Sequence, residues 1–195
     1  MIICGPSASG KTTKLSQILK NRDIIFETPP EKICLYYKVW QPAYSTFLKL
    51  KYVDHFVEGI PTQSEAEDQL KKTGHKVLIF DDLSTEVNAV VEYLFTIGSH
   101  HHNTSIILLT QNLFCKNVFW RSISLNCMYF LLMKNPRDSS QIASLGRQIF
   151  PGQKNYLTSI CKYLSIFKSI FSILLTKLLF FQISMNVTQP TPVFL

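Results

Sequence analysis

The sequence predicts an α/β fold of three layers, with helices on both faces of a mostly parallel sheet. Two observations carry this. Short apolar runs without polar alternation recur along the chain (Met1–Cys4, Ile33–Val39, Val77–Phe80, Ile106–Leu109, Met128–Met133), as strands buried on both faces require. Stretches of helical period lie between them, and a strand–helix–strand crossover is right-handed and returns parallel. The 195 residues suit one domain, and 46% apolar against 17% charged residues exclude a disordered tail or a polar linker.

The first run, Met1–Cys4, leads into Gly5-Pro6-Ser7-Ala8-Ser9-Gly10-Lys11-Thr12, a complete GxxxxGK[ST] motif. Its glycines let successive backbone N–H groups converge on an anion at a helix N-terminus. Lys11–Lys20 supplies that helix, with Leu15, Ile18 and Leu19 on one face. This is the P-loop pattern, so the predicted nucleotide-binding set is Gly5, Pro6, Ser7, Ala8, Ser9, Gly10, Lys11, Thr12 and Thr13. Lys11 would reach the β- and γ-phosphates of a nucleotide such as ATP, and the Thr12 hydroxyl would bind Mg²⁺.

Pro29-Pro30 breaks the chain ahead of Ile33–Val39, the second strand. Tyr36, Tyr37 and Trp40, at strand spacing and beside Pro42, are expected to pack in the core or on a sheet face rather than stack on bases. Residues 61–75, with Glu65, Glu67 and Asp68, read as a solvated excursion. Val77–Phe80 then delivers Asp81 and Asp82 to the C-terminal edge of the sheet, where α/β proteins bind their ligands. Asp81 is the candidate for holding Mg²⁺ through its water shell, and Asp82 for taking a proton from the attacking water. Such an acid pair, seventy residues after the P-loop lysine, favours hydrolysis over nucleotide-kinase chemistry.

Val87, Val90, Val91, Leu94 and Phe95 predict an amphipathic helix with Gly98 as its stop. His100-His101-His102 follows as a solvated or subunit-contacting loop, with metal binding and DNA contact as the lesser readings. Ile106–Leu109 brings Thr110-Gln111-Asn112 to the same edge, where Gln111 would orient the lytic water or sense the γ-phosphate; a strand-capping Thr/Gln pair is the alternative.

Charge is uneven. Residues 1–109 hold 11 basic and 12 acidic side chains, whereas residues 110–195 hold 9 basic and one acidic, Asp138. The basic half favours an anionic partner such as nucleic acid, nucleotide phosphate or lipid. The five cysteines show no CxxC spacing, which points to a reducing compartment, and no basic-then-apolar leader precedes the P-loop. The expected location is therefore intracellular, nucleus or cytoplasm, and not secreted. Residues 157–185 are rich in Leu, Ile and Phe at helical spacing and contain no acid. Lys168 and Lys177 lie inside that stretch, each costing about 2.5–3.5 kcal/mol near the centre of a membrane span. A core or partner-binding helix is accordingly preferred to a membrane contact.

Taken together, GPSASGKT, VLIFDD, FTIGSHHHNTSIILLTQNLF and WRSISLNCMYFLLMKNPRDSSQIASLGRQIFPGQ resemble the FtsK/HerA-type DNA-packaging ATPases, with the nearest likeness to those of Polinton/Maverick transposons and related double-stranded DNA viruses. The likeness runs from Met1 to about Tyr156, and its specificity lies in residues 95–151 rather than in the widespread P-loop. The resemblance implies a RecA-like P-loop NTPase core at 1–156 that forms a homo-oligomeric ring and pumps double-stranded DNA with ATP and Mg²⁺. It also implies that Gln111 is the sensor and that a neighbouring subunit lends an arginine to each site. Arg121 is the preferred candidate, with Arg137 and Arg147 as substitutes.

Two departures qualify the likeness. Only four residues precede Gly5, the expectation for an N-terminally truncated core, and residues 157–195 do not continue the family pattern, as in a frameshifted or mis-spliced end. The alternatives left open are a degenerate nucleotide-binding protein without turnover, a small P-loop nucleotide kinase, for which no arginine-rich lid is visible, and a membrane-attached interaction protein.

Overall fold

A computed structural model describes residues 1–135 and 139–149 of the chain. Arg137, the expected tail and the division at residue 156 lie outside the described residues. The strands are β1 (Ile2–Cys4), β2 (Lys32–Tyr37), β3 (His55–Glu58), β4 (Lys76–Asp81), β5 (Thr104–Thr110) and β6 (Phe130–Leu132). The helices are α1 (Lys11–Lys20), α2 (Arg22–Ile25), α3 (Pro42–Lys49), α4 (Gln63–Lys71), α5 (Ala89–Tyr93), α6 (Ser99–His101), α7 (Trp120–Leu125) and α8 (Ser139–Ile149).

The six strands form one sheet in the order β3-β2-β4-β5-β1-β6, and every pairing is parallel. Alternate strand residues face opposite layers. Ile3, Val77, Ile79, Ile107 and Leu109 pack with Leu15, Ile18 and Leu19 of α1 and with Tyr44 and Phe47 of α3. Ile2, Cys4, Leu78, Phe80, Ile106 and Leu108 pack with residues of α4, α5 and α7 on the other side. All six residues of β4 are buried, which is why that segment reads as an unbroken apolar run up to its acid. The predicted three-layer α/β architecture is therefore the one the chain adopts.

Three local expectations change. Residues 61–75 are not an excursion, because they contain α4. Thr62 caps it, with the Glu65 amide donating to Thr62 Oγ1 at 3.3 Å and the Thr62 amide donating to Glu65 Oε2 at 2.8 Å. Ala66 and Leu70 are its only buried side chains, so the polar face dominates the composition and hides the helix. Secondly, Gly98 does not stop the helix. After α5 the chain makes a π-helical turn over Leu94–Gly98 and continues into α6, with Gly98 right-handed at φ −59°. Glycine stands there for space: a Cβ would lie 3.0 Å from Leu70 Cδ2 of α4. His101 consequently belongs to a helical turn, not to a loop. Thirdly, residues 42–58, for which no element is expected, hold α3 and the edge strand β3; no apolar run announces them, and β3 is mostly exposed.

The aromatic residues divide. Tyr36 is buried and stacked on Phe80 at 5.0 Å, as core packing predicts. Trp40 stands 45% exposed just beyond β2, its ring edge-on to Tyr37 and Tyr44.

Replacing Thr62 with alanine removes one half of the reciprocal cap on α4. The expected cost is about 1 kcal/mol, read as a melting temperature lower by roughly 2–4 °C in a circular-dichroism melt.

Candidate active site

In an all-parallel sheet every strand ends on the same edge. Here β1 ends at Cys4, β4 at Asp81 and β5 at Thr110, and β5 is hydrogen-bonded between the other two. Ile3 lies opposite Leu109, and Leu109 opposite Asp81. Two strand spacings of about 4.8 Å therefore separate the backbone of Asp81 from β1. The loop at 5–12 and the acids at 81–82, far apart in sequence, share one rim.

The loop is built for close backbone approach. The Gly5 amide donates to the Thr110 carbonyl at 3.1 Å, tying the loop's start to β5, and the Ser9 amide donates to Pro6 O at 3.2 Å. A Cβ on Gly5 would collide with Met133 Cβ and lie 2.8 Å from Ser9 Oγ, so only glycine fits. Gly10, at φ +93°, is the left-handed N-cap of α1 and offers no side-chain acceptor to the first-turn amides. Ser9 Oγ is buried without a hydrogen-bond partner. An unpartnered hydroxyl beside uncapped amides at a helix N-terminus suits an anion, and the set fits the phosphates of a nucleotide. Ser7, Ala8 and Thr13 are exposed, while Pro6 and Thr12 are half-buried.

Lys11 Nζ donates to the carbonyls of Gly5 at 2.8 Å and Pro6 at 3.0 Å. Partial burial pushes its pKa down, and the negative charges of Asp81 and Asp82 push back. Those two carboxylates are therefore close enough to act electrostatically on the P-loop lysine.

Asp81 is buried, and the Tyr44 hydroxyl of α3 donates to its Oδ2 at 2.8 Å. Burial raises the Asp81 pKa and the neighbouring Asp82 adds to this, whereas the Tyr44 hydrogen bond and Lys11 oppose it. Burial and the same carboxylates push the Tyr44 phenol well up, so it stays a donor. Asp82 differs in every respect: it is exposed, sits at φ +58°, and accepts from Gln111 Nε2 at 3.3 Å through Oδ1. Acid and amide, 29 residues apart, thus meet at the end of β4 and β5. Lys38 flanks them in an ion pair with Glu86 at 2.9 Å.

Beyond β5, Thr110 Oγ1 donates to Asn112 O at 2.9 Å, and the Leu113 amide donates to Gln141 Oε1 of α8 at 2.6 Å. Arg121 projects from α7 as an exposed side chain and makes no ion pair with Asp81 or Asp82. Arg147 is also exposed and donates to Ser144 Oγ at 3.1 Å. Among the described residues no three His, Cys, Asp or Glu side chains converge as a metal cluster. Nor is any helix among them long and apolar enough to cross a membrane.

Two residues at this rim escape sequence reasoning. Tyr44 reaches Asp81 from a helix that no apolar run marks, although Pro42 followed by Tyr44 and Phe47 is a helix-start pattern. Met133, at the exit of β6, donates its amide to Cys4 O at 2.7 Å and packs its side chain against Gly5.

No protein-family model matches the sequence, and no curated protein matches it. Among solved structures, the cytoplasmic domain of EssC is similar in fold, with a TM-score of 0.54 at 14% identity over 80% of this chain. This chain spans about a third of that one, 34% of its length. Two structures of EccC from Thermomonospora curvata also align at 12% identity and a TM-score of 0.46 over 68% of this chain. One is ATPases 2 and 3 in complex with a signal sequence peptide (29% of that chain covered), and the other the cytoplasmic domain of the type VII secretion ATPase (19% covered). The weight rests on the EssC likeness, which shows the fold: a RecA-like, three-layer P-loop α/β domain.

Asp81→Asn keeps an acceptor for Tyr44 while removing a buried charge. Without divalent metal at pH 7 the variant is expected to be more stable by on the order of 1 kcal/mol, a rise of roughly 2–4 °C in a fluorimetric melt.

Proposed function

We propose that this chain is a Mg²⁺-dependent ATPase of FtsK/HerA type that couples hydrolysis to translocation of double-stranded DNA, as in genome packaging. One observation supports the chemistry above all others. A P-loop, a buried and an exposed aspartate, and a glutamine bonded to the exposed one meet on a single sheet edge.

In this reading the backbone amides of residues 7–13 bind the phosphates, and Lys11 neutralises the β- and γ-phosphate oxygens. Thr12 and Asp81 would hold Mg²⁺, Asp81 through the ion's water shell; when bound, the ion would withdraw charge from the β- and γ-oxygens. Asp82 takes the proton of the attacking water, and its exposure on the rim leaves it accessible for that task. Gln111 orients the water and registers the γ-phosphate through the amide that now rests on Asp82. Arg121, exposed on α7, is offered to the site of a neighbouring copy in a homo-oligomeric ring.

The DNA partner rests on the resemblance of residues 95–151 to the packaging ATPases of Polinton/Maverick transposons and related viruses. The basic surplus after residue 109 adds to it. An intracellular location follows from that partner.

Lys11→Ala is expected to lower ATP turnover by at least about 100-fold and to weaken ATP binding. Asp82→Asn should keep ATP binding while lowering kcat by about 10²–10⁴-fold, the usual worth of a general base. Steady-state hydrolysis and nucleotide titration check both, and turnover unchanged in either variant removes the assigned role. Binding of double-stranded DNA should weaken as salt rises, with a linear log–log slope set by the phosphates neutralised. Salt-independent binding in a fluorescence-anisotropy titration contradicts the DNA reading.

A further inference from the structure

Asp81 needs a fixed partner. The residue is only 3% exposed, and a buried carboxylate without hydrogen bonds either turns to find one or gives up its charge. The partner is the Tyr44 hydroxyl, 2.8 Å from Oδ2 and 37 residues away in sequence.

Tyr44 is itself held from several sides. Its ring is fully buried and meets Tyr37 at 5.6 Å, Trp40 at 5.5 Å, Phe47 at 6.1 Å and Phe56 at 6.1 Å. Pro42 starts α3 two residues earlier with its φ already set by the ring. A phenol clamped in this way cannot follow a rotating carboxylate. It can only dictate where the carboxylate stops.

We propose that Tyr44 is a positioning residue: it pins Asp81 Oδ2 so that Oδ1 remains for the water shell of the Mg²⁺ that accompanies the nucleotide. This rests on the reading of Asp81 as the acid that serves the metal. It assigns to α3 a part in the site that the P-loop and the acidic strand do not supply. Fully buried and bonded to Asp81, the hydroxyl works through that carboxylate, so its effect falls on metal affinity.

The aromatic contacts supply a built-in reporter. Trp40 is edge-on to Tyr44, with ring planes at 89°, and stands 45% exposed. A change of charge at Asp81 reaches an indole at the surface through one hydroxyl and one ring contact. The chain's other tryptophan, Trp120, is on α7 with its indole N–H donating to Leu113 O.

The test compares the full-length chain with Tyr44→Phe and Asp81→Asn. It uses ATP turnover against Mg²⁺ concentration, and tryptophan emission on adding ATP with Mg²⁺ or with EDTA. A Trp40→Phe control assigns the emission. Tyr44→Phe is expected to raise the apparent KM for Mg²⁺ by about 10–100-fold, the usual cost of losing an outer-shell partner. The shift should fall on that KM more than on kcat, and the Mg²⁺-specific part of the Trp40 response should disappear. An unchanged Mg²⁺ dependence in Tyr44→Phe, beside an altered one in Asp81→Asn, overturns the positioning role and leaves the Asp81 assignment standing. Unchanged Mg²⁺ dependence in Asp81→Asn overturns the assignment itself. If circular dichroism shows that Tyr44→Phe does not fold, the unsubstituted chain decides: a Trp40 emission blind to Mg²⁺ rejects the proposal.

Discussion

The backbone ladder of β5 is the constraint on which the rest depends. It bonds to β1 on one side and β4 on the other, in registers that put Leu109 level with both Ile3 and Asp81. Because all three strands run the same way, the ladder also fixes which of their ends meet. The Gly5 amide extends it by one bond, to the Thr110 carbonyl, so the start of the P-loop is tied to the end of β5, beside Gln111. A one-residue slip on either side would move every core side chain to the opposite layer, against a different set of partners. Core packing thereby sets the positions of charged groups that contribute nothing to the core.

Those charged groups are held at a cost to the fold. Asp81 is buried against the preference of a carboxylate for water, and Lys11 is partly desolvated, each moderating the penalty on the other. The two acids are separated by environment more than by distance. Asp81 is enclosed and anchored by Tyr44, while Asp82 turns outward through a left-handed backbone, which aspartate tolerates better than most non-glycine residues. Adjacent identical side chains thus acquire different surroundings, one suited to a fixed position and the other to contact with solvent. Gln111 connects the outward acid to β5, so both acids are gripped from neighbouring elements.

Much of this was legible in the residues. Parallel strands left apolar runs that located β1, β2, β4, β5 and β6 to within a few residues, although β6, at the end of the strand order, is half-buried and not enclosed on both faces as its run suggests. The P-loop was legible because its chemistry demands particular residues at particular spacing. What escaped was whatever depends on a partner elsewhere. α4 buries only Ala66 and Leu70, so its composition matches that of a loop. Gly98 carries the mark of a helix stop, yet its role is to let Leu70 approach. Tyr44 reads as one more aromatic in a cluster, since the acceptor that gives its hydroxyl a function lies 37 residues downstream.

By itself the sequence determined the fold class, the glycine-rich loop at 5–12 and which strands end in acid or amide, because periodicity and local backbone demands are properties of short segments. The tertiary structure decided the rest: that β5 lies between the loop and the acids, that Asp81 is enclosed while Asp82 is not, and that Tyr44 and Met133 complete the rim. These follow from strand order and register. Both are settled by the packing of distant residues, which no local pattern encodes.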